Sequence, residues 1–329
     1  MQVRGKSYRA VWMRGGDVIV ISQPLLPKRF ALLRLRNYRQ TAEAIRTMIV
    51  RGAGTIGATA GYGMAQAFLE GADLDAAYRL LLETRPTAVD LKHAIDRVRA
   101  CRTAREAVRE AERIAEEYVA RGASIARVGL SLIKPGTRVL THCNAGWLAL
   151  VDWGSAPAPI YLAHRRGRKV FVWVDETRPR CQGASLTSWE FMQEGVPHTI
   201  IADNAAGFYM RRGEVDLCLV GADRIAINGD VANKIGTYTK AVLAKENGIP
   251  FYVAAPTSTI DPHCRNGDAI PIEERDEDEI HYIGGQRISP RGARAANPAF
   301  DVTPARYITG IITERGILNP TQLGRQWTR

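Results

Sequence analysis

Residues 138–146 read Arg138-Val139-Leu140-Thr141-His142-Cys143-Asn144-Ala145-Gly146. An apolar run of strand character ends in a short polar turn closed by glycine. The same order returns at Leu217-Cys218-Leu219-Val220-Gly221-Ala222-Asp223-Arg224. Working outward, apolar runs of strand length recur at Arg138–Thr141, Lys169–Val174, Thr199–Ala202, Leu217–Val220 and Phe251–Ala255. Helix-like segments, Leu186–Gln193 and Asn233–Asn247, stand between them. This alternation predicts successive βα units, hence a parallel sheet with helices on both faces. Open sheets of that kind bind ligands beyond the carboxyl ends of their strands. Cys143 and Asp223 both fall at such ends.

Upstream the texture differs. Val18–Ile21 is a short β-element. Asn37–Ile49 carries Ala, Ile and Met at near-helical spacing, and a second helix is expected after the glycine-bearing stretch 51–57. Ala104–Ala120 mixes Arg and Glu with Ala, Val, Ile and Tyr, as an amphipathic helix does. Few strands are expected between residues 65 and 135. The fold class is therefore α/β, with a mainly helical N-terminal domain at residues 1–125 and a sheet domain at 126–329, the change falling between Ala120 and Pro135. The polar tail Asn319–Arg329 is expected to be partly disordered or to pack on a neighbour.

The 329 residues suffice for two domains with sizeable cores. Hydrophobic residues at 46% and charged residues at 24% fit a soluble globular chain. There is no apolar run of membrane-spanning length and no apolar signal segment at the start, so a cytoplasmic location is expected. The net charge of +11 comes from scattered, mostly arginine positions. Its tightest cluster, His164-Arg165-Arg166-Gly167-Arg168-Lys169, reads as solvated surface, and no nucleic-acid motif accompanies it. Five cysteines without a CxxC pair argue against a disulfide framework, and no metal-ligand spacing is present.

Four further motifs carry chemistry. Arg51-Gly52-Ala53-Gly54-Thr55-Ile56-Gly57 is an arginine before a glycine-rich helix start. That is either an anion site, where backbone N–H groups and the guanidinium meet a phosphate, or a turn built for helix packing. Arg85 stands before Pro86, which suits the first position of a helix; the arginine faces either the same anion or solvent. Asp175-Glu176-Thr177-Arg178-Pro179-Arg180-Cys181-Gln182-Gly183 follows a strand, and its Gln182 is placed either to bond sugar hydroxyls or to serve a salt-bridged loop. Asn233 and Lys234 fall at an apparent helix start, as ligand groups or as a simple cap. Cys143 as thiolate base and Asp223 as proton donor would form an acid–base pair, given a hydrophobic pocket for the acid and a cation or helix N-terminus for the thiol.

In this order, Arg51-Gly52-Ala53, Arg85-Pro86-Thr87-Ala88-Val89, Thr141-His142-Cys143-Asn144-Ala145-Gly146, Glu176-Thr177-Arg178-Pro179 with Gln182-Gly183, Gly221-Ala222-Asp223-Arg224 and Gly229-Asp230-Val231-Ala232-Asn233-Lys234-Ile235-Gly236-Thr237-Tyr238 together resemble the methylthioribose-1-phosphate isomerases of the initiation factor 2B alpha/beta/delta-like superfamily. The similarity continues through Gly248–Pro256, Ile270–Arg275 and Asn297–Pro304. It implies a Rossmann-like C-terminal domain with a parallel sheet, no metal or organic cofactor, a homodimer, and a small-molecule sugar phosphate as substrate. The reaction implied is conversion of 5-methylthioribose 1-phosphate to 5-methylthioribulose 1-phosphate, in methionine salvage. By position, Cys143 and Asp223 would be the catalytic pair, and Arg51, Gly52, Ala53, Arg85, Gln182, Asn233 and Lys234 would hold the substrate. The chain departs at Gly54, where the family commonly has proline; glycine there is expected to loosen the phosphate turn. Related readings are an isomerase of 5-deoxyribose 1-phosphate or ribose 1,5-bisphosphate, and a non-catalytic regulatory protein of the initiation factor 2B kind.

Overall fold

The computed structural model describes residues 1–86 and 88–327, with only the backbone at 326 and 327. Two compact units emerge: Met1–Ala126 with Ala145–Ala158, and Arg127–Asn144 with Pro159–Arg329.

In the first unit, Val11–Arg14, Asp17–Ile21 and Leu32–Leu35 form an antiparallel sheet, of which the sequence reading saw only the middle strand. Asn37 caps the helix Tyr38–Arg46 by accepting the Gln40 N–H at 2.9 Å. The central helix is Ala53–Leu69, buried on all sides from Gly54 to Ala67. Its small residues make that possible, since a helix apolar all round belongs in a core. It packs against Val89–Arg99, and Ala104–Gly129 completes the helical set. No strand lies between Leu35 and Arg138 among the described residues. Helix Val89–Arg99 begins three residues after Pro86, which sits in the preceding turn and not at a helix start; the next residue, Thr87, lies outside the described residues.

The second unit is built on seven strands: β1 Arg138–Thr141, β2 Phe171–Asp175, β3 His198–Ile201, β4 Leu217–Val220, β5 Phe251–Ala254, β6 Gly310–Thr313 and β7 Gly316–Leu318. Their order across the sheet is β7-β6-β5-β4-β1-β2-β3, parallel except for β7. The chain runs outward from β1 through β2 to β3, then returns to β4 on the other side of β1 and runs outward again. The strand order therefore reverses between β1 and β4. Fully buried strands such as β4 read as continuous apolar runs, as parallel sheets require.

Two expectations need correction here. Asn233 and Lys234 are not at a helix start; they end the strand Val231–Lys234, paired antiparallel with Arg224–Ala226 and Phe300–Thr303 in a second, smaller sheet. The helix begins only at Thr237, because Gly236 at φ +100° breaks the strand first. The tail is ordered to the extent that Leu323 is fully buried in the core of the second unit; Thr328 and Arg329 lie outside the described residues.

Candidate active site

Register places the two central motifs. In the parallel pair β1–β4, Val139 is opposite Leu217 and Leu140 opposite Cys218. Thr141 fastens the two carboxyl ends by donating its hydroxyl to the Leu219 carbonyl at 2.8 Å. The turns bearing Cys143 and Asp223 therefore leave adjacent strands on either side of the reversal point. The loop Glu176–Gln182 leaves β2, the neighbour of β1 on its other side, at the same end. Three loops picked out in the sequence thus converge on the position where open α/β sheets bind ligands.

The Cys143 turn is held at both backbone atoms. Cys143 itself is left-handed, at φ +64°. Its N–H donates to Thr177 Oγ1 at 2.8 Å, and its carbonyl accepts from Thr187 Oγ1 at 2.7 Å. Asn144 Nδ2 then donates to Thr187 Oγ1 and to Glu190 Oε1, both at 3.1 Å. Glu190 is fully buried and accepts the Tyr161 hydroxyl at 2.6 Å. Thr177 is left-handed as well, at φ +67°, which costs a β-branched residue of order 1–3 kcal/mol. Surrounding bonds offset that: Asp203 takes the N–H groups of Thr177 at 2.7 Å and Arg178 at 2.6 Å, and the Thr177 carbonyl accepts from Cys181 N–H at 2.8 Å. The Cys143 side chain is half-buried.

Asp223 is exposed; its N–H donates to the Ala232 carbonyl at 2.9 Å, which joins its turn to the strand carrying Asn233 and Lys234. Asn233 is buried and donates to Thr237 Oγ1 at 2.9 Å. Lys234, also buried, reaches the Ala299 carbonyl at 2.8 Å and lies 4.9 Å from the centre of the Phe300 ring. Gln182 is 6% exposed, and its Oε1 is buried with no hydrogen-bond partner among the described residues. A buried amide oxygen in that condition is costly unless something supplies a donor. Burial, with the Glu176 charge adding to it, pushes the nearby Cys181 thiol up.

Arg51, Gly52, Ala53 and Arg85 belong to the first unit. Gly52 caps the helix Ala53–Leu69 at φ +87°, and a Cβ there would overlap the Ala149 backbone. Gly54 and Gly57 lie inside the helix, so they do not form a flexible loop around an anion. A Cβ on Gly57 would sit 2.7 Å from the Tyr118 hydroxyl and 3.0 Å from the Asp90 carbonyl. Side-chain space at Gly54 is taken by Leu150 and Tyr118. The glycine at 54 therefore does not loosen the turn: it sits in the first turn of a packed helix. Contact between Gly57 and Asp90 sets the amino ends of the two helices side by side, with Arg51 before one and Arg85 before the other.

Among the described residues, the His/Cys/Asp/Glu group close enough to share an ion is His142, Asp175 and Asp203. Each is already bonded within the protein: Asp203 to the two N–H groups above, Asp175 to His142 at 2.8 Å. The supporting residues Thr187 and Glu190 went unnoticed in the sequence. Nothing in a helix-borne threonine or glutamate signals that it will meet a strand end.

The sequence profile of the Initiation factor 2 subunit family matches residues 42–320. A methylthioribose-1-phosphate isomerase of Brucella anthropi is 49% identical over 98% of each chain. The crystal structure of a 5-methylthioribose 1-phosphate isomerase from Pyrococcus horikoshii aligns with a TM-score of 0.90 and 44% identity, covering 98% of this chain and 95% of that one. A structure described as the delta subunit of translation initiation factor eIF-2B from A. fulgidus aligns with a TM-score of 0.85 and 40% identity, covering 96% and 97%.

Proposed function

The chain belongs to the Initiation factor 2 subunit family, on the branch of its methylthioribose-1-phosphate isomerases, and from that membership we propose that it converts 5-methylthioribose 1-phosphate to 5-methylthioribulose 1-phosphate, with Cys143 and Asp223 as the reacting pair. The observation that carries the assignment is the departure of the Cys143 and Asp223 turns from adjacent parallel strands at the reversal of strand order.

The substrate has its anomeric carbon locked as a phosphate ester, so it has no free aldehyde to enolise. Asp223 gives a proton to the ring oxygen as the C1–O bond breaks. Cys143, as thiolate, removes the proton on C2, leaving an enol phosphate across C1 and C2. Protonation of C1 from the Cys143 thiol, once its proton has exchanged with solvent, with loss of the C2 hydroxyl proton, gives the ketose. Asp223 is exposed, so its neutral form depends on the bound sugar displacing water from it. Arg51 and Arg85, with the helix start at Gly52–Ala53, are assigned to the phosphate. Gln182, whose buried oxygen lacks a partner among the described residues, is assigned to a sugar hydroxyl, and Asn233 and Lys234 to the remaining polar groups. A homodimer in the cytoplasm belongs to the same proposal; separately, no helix among the described residues is long and apolar enough to cross a membrane.

The test is turnover followed by NMR on 5-methylthioribose 1-phosphate, 5-deoxyribose 1-phosphate and ribose 1,5-bisphosphate. Wild-type protein is expected to favour the first, and Cys143→Ala and Asp223→Asn to lose turnover while remaining folded. Run in D2O, proton transfer through Cys143 puts deuterium on C1; a C2-to-C1 hydride shift leaves C1 unlabelled and reassigns Cys143 to stabilising that shift. A folded wild type that isomerises none of the three returns the chain to the non-catalytic, initiation factor 2B-like reading, in line with the neighbour described as a delta subunit of translation initiation factor eIF-2B.

A further inference from the structure

The residue before the proposed base is not used by the chemistry above, yet it is among the most enclosed polar groups in its unit. His142 is 1% exposed. Its Nδ1 lies 2.8 Å from Asp175 Oδ2, and its Nε2 lies 2.8 Å from the Ile235 carbonyl oxygen. Both partners are oxygens that accept. A neutral imidazole carries one N–H, so between two acceptors it would leave a nitrogen lone pair facing an oxygen lone pair at hydrogen-bond distance. An imidazolium donates to both. Moving the proton to Asp175 would also satisfy the ring, but Lys240 Nζ stands 3.2 Å from the same Oδ2 and favours the carboxylate.

The surroundings are built to this ring. A Cβ on Gly236 would come within 3.1 Å of His142 Cε1, 3.2 Å of its Nε2 and 3.4 Å of Lys240 Nζ, so glycine is what lets the backbone close over it. Asp301 accepts the N–H groups of Gly236 at 2.7 Å and Tyr238 at 3.1 Å; burial pushes its carboxyl up, and these two N–H groups act against that. The His142 ring and Lys240 share one carboxylate oxygen, Asp175 Oδ2. Cys218, on the neighbouring β4, is also within electrostatic reach of Asp175. The other Asp175 oxygen, Oδ1, is buried without a hydrogen-bond partner among the described residues, so His142 and Lys240 at Oδ2 are the groups that meet this carboxyl.

We propose that His142 is a positioning residue: a buried imidazolium, donating from both nitrogens, that locks the Cys143 turn to the end of β2 and to the segment Asn233–Gly236. This rests on the reading of Cys143 as the reacting thiol. It adds that the geometry of that thiol is set through His142, by the same contact that fixes the strand carrying Asn233 and Lys234. Lost charge or either lost bond would free the turn without touching the thiol.

The test combines a spectroscopic and a chemical readout. In 15N NMR of the wild type near neutral pH, both His142 nitrogens are expected to carry protons; a neutral tautomer overturns the proposal. His142→Asn and His142→Gln each retain one donor and lose the charge. Both are expected to change the rate of Cys143 alkylation by iodoacetamide by about tenfold or more, read peptide by peptide, with Cys101 in the other unit as the unchanged internal control. They are also expected to lower kcat by about 10- to 100-fold, the usual effect of a misplaced reacting group. Should these variants fail to fold, Gly236→Ala displaces the ring while keeping the imidazole, and it is expected to alter Cys143 alkylation in the same way. Folded variants whose Cys143 alkylation and kcat stay within twofold of wild type refute it. If the wild type has no isomerase activity but the NMR and alkylation results hold, the functional assignment fails and the positioning role stands.

Discussion

Replacing Thr177 by valine removes one oxygen and keeps the shape of the side chain. The Thr177 hydroxyl accepts the Cys143 N–H at 2.8 Å and donates to the Asp175 carbonyl at 3.0 Å, in a fully buried position. Valine fills the same volume, so no cavity opens, and its branched Cβ bears the same left-handed strain as threonine. What is lost is chemical. A buried N–H without an acceptor costs about 1–3 kcal/mol, and the second bond contributes about 0.5–1.5 kcal/mol more. Together these give roughly 2–4 kcal/mol, or a fall in Tm of about 5–15 °C for a unit of this size. The catalytic effect is expected to be larger than the thermal one suggests. With its N–H released, Cys143 has one backbone tether in place of two, and a shift of about 1 Å in a reacting group costs on the order of 100-fold in rate. The assay pairs thermal unfolding by circular dichroism with kcat on the sugar phosphate. Thr177→Ser restores the hydroxyl and should recover most of both losses. A Thr177→Val protein that melts within a degree of wild type, with kcat within twofold, refutes the claim that this hydroxyl holds the cysteine turn.

Gly61 faces Ala94, Ile114 and Val98 at 3.7–3.8 Å from an added Cβ, with no overlap. Gly61→Ala should therefore gain about 1 kcal/mol of helix propensity and raise the urea midpoint, whereas Gly57→Ala, which drives a methyl against Asp90 and Tyr118, should lower it. Gln182→Leu should weaken substrate binding about tenfold, as a rise in KM, while leaving Tm unchanged or slightly higher, because it removes a buried oxygen that has no partner among the described residues. Acid should weaken the tie between the 178–181 loop and Asp278–His281. Burial alone would push the Glu279 carboxyl up, but the Arg275 guanidinium at 2.9 Å and Arg180 at 2.7 Å win and bring it down to about 2 from 4.5. A depressed carboxylate stabilises fully above its unfolded value and loses that contribution as pH falls through the folded one. Glu279→Gln should thus cost about 1–2 kcal/mol near neutral pH, since solvent screens this partly exposed pair, and the difference from wild type should vanish between pH 4.5 and 2 in urea titrations.

Local pattern was enough for several elements. Leu217–Val220 is apolar at every position because a central parallel strand is covered on both faces, and that signal survives without any partner in view. The turns at Cys143 and Asp223 were legible for the same reason: a strand end is marked by the residues on either side of it. The four-residue strand at Val231–Lys234 was not. Its residues carry an ordinary helix-start signature, and only pairing with Arg224–Ala226 and Phe300–Thr303 overrides that local preference. The glycines after Arg51 misled in the opposite sense. Glycine suits both a flexible turn and a tight helix crossing, and which one holds at Gly54 and Gly57 depends on Leu150, Tyr118 and Asp90 arriving from elsewhere in the chain. His142 shows the limit most clearly. In sequence it is a neighbour of Cys143 and nothing more, since a ring takes its role from the oxygens placed at its two nitrogens. Those oxygens belong to Asp175 and Ile235, 33 and 93 positions away, and only the tertiary fold brings them within reach.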